Sequence, residues 1–132
     1  MTKETIVDLW QYEGRQYLWT IEHIFPQGEN IPKAWVMMIA GGDKNKAEEY
    51  QRDYVHKLGN LTISGFNSAL GAKSFEEKRD RKDIQKRYVG YRNSLKLNED
   101  LAKAKEWTVP QIKARTKKLV NQAMSLFDLG KQ

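Results

Sequence analysis

No cysteine occurs anywhere in the chain, so nothing covalent can staple the fold and no thiolate can hold a metal. A nucleophilic thiol is excluded for the same reason. Stability must come from packing, and the material for that is aromatic: four Trp, six Tyr and four Phe. At 132 residues the chain fits one domain, 1–132, and leaves no room for two full ones. The longest apolar run, 34–40, is far short of the roughly 20 residues that cross a bilayer. The start, Met1-Thr2-Lys3-Glu4, has no signal-peptide pattern. The expectation is a soluble, cytoplasmic protein with no membrane partner. The net charge of +6 favours a polyanionic partner, although only weakly.

Punctuation by Gly and Pro divides the chain. Residues 6–19 carry Trp10, Tyr12, Tyr17 and Trp19 around Gly14, and read as a short helix and strand or as a hairpin. Residues 17–21 are aromatic and β-branched, which predicts a strand ended by Pro26, Gly28 and Pro32. A helix is expected over 34–39, stopped by Gly41-Gly42. Asp43 can cap the next, with its body at 46–58 and Gly59 at its C-terminus. Residues 61–63 predict a short strand. Ser74 and Glu77 have capping-box spacing for a helix over 75–88. Residues 90–98 read as a loop. Thr108 and Pro110 open a last helix with Ile112, Leu119, Ala123, Leu126 and Phe127 on its apolar face, up to Gly130. The fold class expected is α+β and mostly helical.

Only two histidines are present. His23 follows Glu22 near the strand's end. Imidazole titrates near neutrality and can take a proton from water, and a carboxylate suits a hard cation. Strand neighbours point to opposite faces, so Glu22 and His23 converge only if the strand ends or bulges there. A core histidine is the plain reading. His56 precedes Gly59-Asn60-Leu61, and Asn67 opens a helical stretch. An amide can orient an imidazole or ligate a cation. Asn60 and Asn67 serve equally well as caps or turn residues. No His-Glu-x-x-His spacing supports a zinc hydrolase, and no Gly-rich motif supports a P-loop or dinucleotide site.

Taken in order, an acidic-His strand end, a Gly-Asn-Leu before a second strand and an Asn at a helix start resemble the ββα-metal site of HNH, or His-Me finger, nucleases. Longer signatures narrow the resemblance: Ile21-Glu22-His23-Ile24-Phe25-Pro26-Gln27, His56-Lys57-Leu58-Gly59-Asn60-Leu61-Thr62, Asn67-Ser68-Ala69-Leu70 and Ser74-Phe75-Glu76-Glu77-Lys78-Arg79, closed by Trp107, Ile112 and Arg115. Together they resemble the C-terminal nuclease domain of GmrSD-type, modification-dependent restriction enzymes, over about 18–127. The resemblance implies a nuclease core at about 18–90 and a C-terminal helical part at about 91–130. It implies an endonuclease that hydrolyses double-stranded, sometimes modified DNA in phage defence. It also implies an N-terminal ParB-like NTPase or sensor domain, or partner subunit, that is not in this sequence.

Residue by residue, the resemblance makes His23 the general base and Asn60 the residue that orients it or braces its loop. Glu22 and Asn67 would ligate Mg²⁺ or Mn²⁺, with Glu22 where the wider group often has Asp. His56 would contact phosphate or the metal's surroundings, or be structural. Basic residues cluster at 73–92 and 111–118. From these, Lys73, Lys78, Arg79, Lys113, Arg115 and Lys117 are the expected DNA contacts, with solvated helix faces as the alternative. A non-catalytic DNA-binding or protein-interaction module of the same fold is the runner-up.

Overall fold

The computed structural model describes residues 12–13, 16–17, 20–64, 71–82, 85–92 and 96–130. The chain is α+β and mostly helical. Strands β1 (Tyr12–Glu13) and β2 (Gln16–Tyr17) form a small antiparallel hairpin, one of the two arrangements expected there. The strand expected at 17–21 is placed later, as β3 (Thr20–His23). It pairs antiparallel with β4 (Leu61–Ser64), Ile21 facing Ile63, Glu22 facing Thr62 and His23 facing Leu61.

Helix α1 (Lys33–Ala40) ends where expected. Gly41 adopts φ 61°, a left-handed conformation that a Cβ would strain. The Gly41 and Gly42 N–H groups return to the Met37 and Val36 carbonyls. Asp43 caps α2 (Lys44–Tyr54), its carboxylate accepting from the Lys46 N–H at 3.0 Å. This helix stops short of the expected 58. The chain turns at His56 and forms a 3-10 turn over Leu58–Asn60. Gly59 therefore does not cap α2. A Cβ there would lie 2.2 Å from the Ile112 carbonyl oxygen, so glycine lets the last helix approach.

Ser74 caps α3 (Phe75–Asp80) as the spacing required, accepting from the Glu77 N–H at 3.2 Å. The helix is shorter than 75–88 because the chain doubles back on its C-terminus. Tyr91 and Arg92 donate backbone hydrogen bonds to the Lys78 and Arg79 carbonyls, and Val89 and Gly90 donate to that of Arg81. A Cβ on Gly90 would meet the Lys78 oxygen at 1.9 Å. The expected loop at 90–98 contains a 3-10 turn, Lys96–Asn98, leading into a short helix, α4 (Glu99–Lys103). Helix α5 (Val109–Gly130) closes the chain.

The core is aromatic and centres on Phe75. Its ring stacks on Trp107 at 5.7 Å and contacts Trp35 and Tyr91 at 6.4 and 6.1 Å. Ile24, Phe25, Leu101 and Ile112 complete it. The expected apolar face of α5 is buried only near its start. Ile112 is in the core, Leu119 is half-buried, and Ala123 and Leu126 are exposed. Phe127 lies outside the residues whose side chains are described. No helix among the described residues is long and apolar enough to cross a membrane.

Candidate functional site

Strand alternation decides what β3 offers on each face. Ile21 is 64% exposed and Glu22 1%, so the carboxylate points inward and the flanking side chains outward. Glu22 and His23 therefore do not converge. Glu22 meets Lys78, whose side chain is also fully buried. The ammonium has three donors and finds three acceptors: Glu22 Oε1 at 2.7 Å and the His23 and Ile24 carbonyl oxygens at 2.9 Å each. The second Glu22 oxygen accepts from the Tyr91 hydroxyl. Burial pushes Glu22 above the usual carboxylate range, opposed by Lys78, and pushes Lys78 below the usual amine range, opposed by Glu22. The pair clamps the end of β3 from inside.

Asn60 does the same from the other side. Its side-chain oxygen accepts from the Phe25 N–H at 2.8 Å and from the Trp107 indole at 3.1 Å. Its amide nitrogen donates to the Phe25 and Val55 carbonyls at 3.0 and 2.8 Å. Asn60 thus braces the turn after His23 and makes no contact with the imidazole. Gln51 ties the following loop, donating to the Pro26 and Gly28 carbonyls.

His23, the last residue of β3, is half-buried on the outer face. Its Nε2 lies 3.1 Å from Nδ1 of His56, which stands exposed in the turn after α2. The two rings meet edge-on, centroids 5.1 Å apart. Burial lowers the His23 pKa, and the nearby His56 and Lys78 lower it further. His56, expected only as an accessory, is the described residue whose side chain hydrogen-bonds to the His23 ring.

The expected basic contacts separate into three groups. Lys78 and Arg115 are buried. Arg115 donates to the Gly59, Leu61 and Leu97 carbonyls and pairs with Asp100 at 3.1 Å, joining α5 to the 3-10 turn and β4. Neither residue is placed to touch a DNA backbone. Their expected role is corrected to an internal one. Arg79 is tied to Asp80 and the Ala104 carbonyl, and Lys73 sits 3.9 Å from Glu77. Lys113 and Lys117 are exposed. They line a groove of about 410 Å³ between α2 and α5, floored by Tyr54, Ile112 and Val120. Lys57, adjacent to His56, lies in the same groove and was not singled out in the sequence. Its position beside a histidine was the available signal.

A metal expected at Glu22 and Asn67 finds no complete ligand set here. Asn67 lies outside the described residues. Both Glu22 oxygens are engaged inside the core, which does not fit direct ligation. Among the described residues no three His, Cys, Asp or Glu side chains gather to hold an ion.

Residues 3–122 match the family model of the GmrSD restriction endonucleases' C-terminal domain. The chain belongs to this family. No curated protein and no solved structure matches it. GmrSD membership gives the chain a restriction-endonuclease-related role. Lys57, which lines the basic groove, directly follows His56 of the histidine pair.

Proposed function

We propose that this GmrSD C-terminal domain is the DNA-cleaving part of a restriction system, with a His-Me finger arrangement and His23 as general base. The observation that carries the reading is the presentation of His23. It stands on the outer face at the end of β3, and its backbone is clamped by Lys78 beneath and by Asn60 behind. Its lowered pKa keeps the imidazole neutral at physiological pH, as a base must be. In this reading the ring takes a proton from water as the water oxygen attacks phosphorus. The P–O3′ bond breaks and the 3′ oxygen leaves. Lys57, Lys113 and Lys117 lie along one groove near the histidines, and their charge suits a duplex backbone.

Divalent metals are common among nucleases, and Mg²⁺ or Mn²⁺ belongs to the proposal as a requirement of the reaction. Asn67 is its expected ligand. The described residues complete no ligand set for it. Double-stranded DNA, modified in some cases, is the proposed substrate. An N-terminal NTPase or sensor domain or subunit is the proposed partner, and phage defence in the cytoplasm the setting.

Plasmid nicking with Mg²⁺ or Mn²⁺ tests the reading. His23→Ala should lower the rate by about 10²–10⁴-fold, the usual contribution of a positioned base. EDTA should stop cleavage. An unchanged rate in the variant would refute the base assignment. A parent protein that binds DNA but never cuts it would favour a binding module.

A further inference from the structure

The orienting duty expected of Asn60 is vacant, since all its polar groups are spent on Phe25, Val55 and Trp107. His56 stands where that duty has to be done. We infer that His56 is a positioning residue which sets the tautomer of His23 and so decides which ring nitrogen faces the water. This inference rests on His23 being the base.

The argument follows from the ring atoms. Neutral imidazole has one N–H and one lone pair, and the partner of one nitrogen determines the role of the other. Nε2 of His23 is directed at Nδ1 of His56, 3.1 Å away. That nitrogen is therefore screened from an attacking water. Nδ1 of His23 has no hydrogen-bond partner among the described residues. If Nδ1 is to accept the proton, it must carry the lone pair, and Nε2 must carry the hydrogen. Nε2–H then donates to Nδ1 of His56, which acts as the acceptor. His56, itself exposed, in turn keeps its own hydrogen on Nε2.

The opposite arrangement, with His56 donating, would leave Nδ1 of His23 protonated and useless as a base. The contact thus has one productive polarity. The backbone clamp contributes the rest. Lys78 and Asn60 hold the β3 end while leaving the ring free to rotate about its side-chain bonds. His56, from the turn after α2, is the only described side chain that hydrogen-bonds to that ring. Backbone and ring are positioned by different elements.

The test reads the tautomer directly. Long-range ¹H–¹⁵N ring correlations are recorded on the whole chain without substrate or added metal, at about pH 8, well above the lowered His23 pKa. His23 should appear as the Nε2–H form. In His56→Ala it should become a mixture of tautomers, and cleavage should fall roughly tenfold, the worth of one such hydrogen bond. His56→Asn places a side-chain oxygen where Nδ1 stood. It should restore both the Nε2–H form and most of the rate, which a merely structural His56 would not do. A parent His23 in the Nδ1–H form, or a tautomer unmoved by His56→Ala, overturns the inference. Continued cleavage by His23→Ala would instead overturn the base assignment. The two failures are separable because the ring spectrum needs no substrate.

Discussion

Replacing Lys78 by Met keeps the length of the side chain and removes its three donors. Glu22 then keeps only Tyr91, and the His23 and Ile24 carbonyls lose their partner. Both members of the pair are at most 1% exposed, so water cannot take Lys78's place. Deleting one partner of such a pair costs about 3–5 kcal/mol. A domain has roughly 5–15 kcal/mol in hand, so the variant should remain folded with a much lower midpoint in urea. The loss should also depend on pH. Without Lys78, burial alone raises the Glu22 pKa, opposed only by Tyr91. A carboxyl raised in the folded state contributes stability below its unfolded pKa and loses it as pH rises through the folded value. The deficit relative to the parent should therefore shrink between about pH 7 and about pH 5. Adding Glu22→Gln should recover part of the loss, because no charge is then stranded. Urea titrations at the two pH values measure all of this. A cost below about 1 kcal/mol, or one equal at both pH values, would refute the claim that the pair acts as a buried clamp.

Gly59→Ala should lower stability by roughly 2–3 kcal/mol in thermal melts, because its Cβ would press on the Ile112 carbonyl. The acid limb of the cleavage rate should have its midpoint below pH 6.5, since the His23 pKa is lowered and only the neutral ring accepts a proton. Its residual limb in His56→Ala should move back towards 6.5, because one of the three causes of the shift is gone. Removing the charges of Lys57, Lys113 and Lys117 together should weaken DNA binding and flatten its salt dependence by about one unit of log–log slope per lysine, measured by fluorescence anisotropy. An unchanged slope would place the duplex elsewhere.

The local signals in the sequence were dependable where local chemistry acts alone. Asp43 and Ser74 cap helices as their spacing implied, because each side chain satisfies an N–H three residues on. Gly41 stops α1 for a similarly local reason. Gly59 misled because its glycine character answers to a helix more than fifty residues away, not to the end of α2. Helix α3 is short because Gly90 and Tyr91 return to its C-terminus, a tertiary event that no periodicity records. Lys78 and Arg115 sat within basic runs that read as solvated surface, and nothing in the runs distinguishes a buried member from its neighbours. Glu22 is different. Strand alternation already separated it from His23, and the structure follows that simple rule rather than an early end to the strand.

The hands that hold β3 arrive late. Glu22 is gripped by Lys78, 56 positions further along, and by Tyr91, 69 positions further along. The Asn60 brace comes 35 positions after Phe25, and its own indole partner 47 after that. A ribosome delivers the histidine long before it delivers the parts that hold its backbone. Pairings this distant are also slow to form. The growing chain therefore carries His23 without its frame, and a product truncated before Lys78 stays in that condition. Under the proposed function this order of assembly is a delay fuse, because the base gains its frame only once the segment carrying Lys78 and Tyr91 has been made.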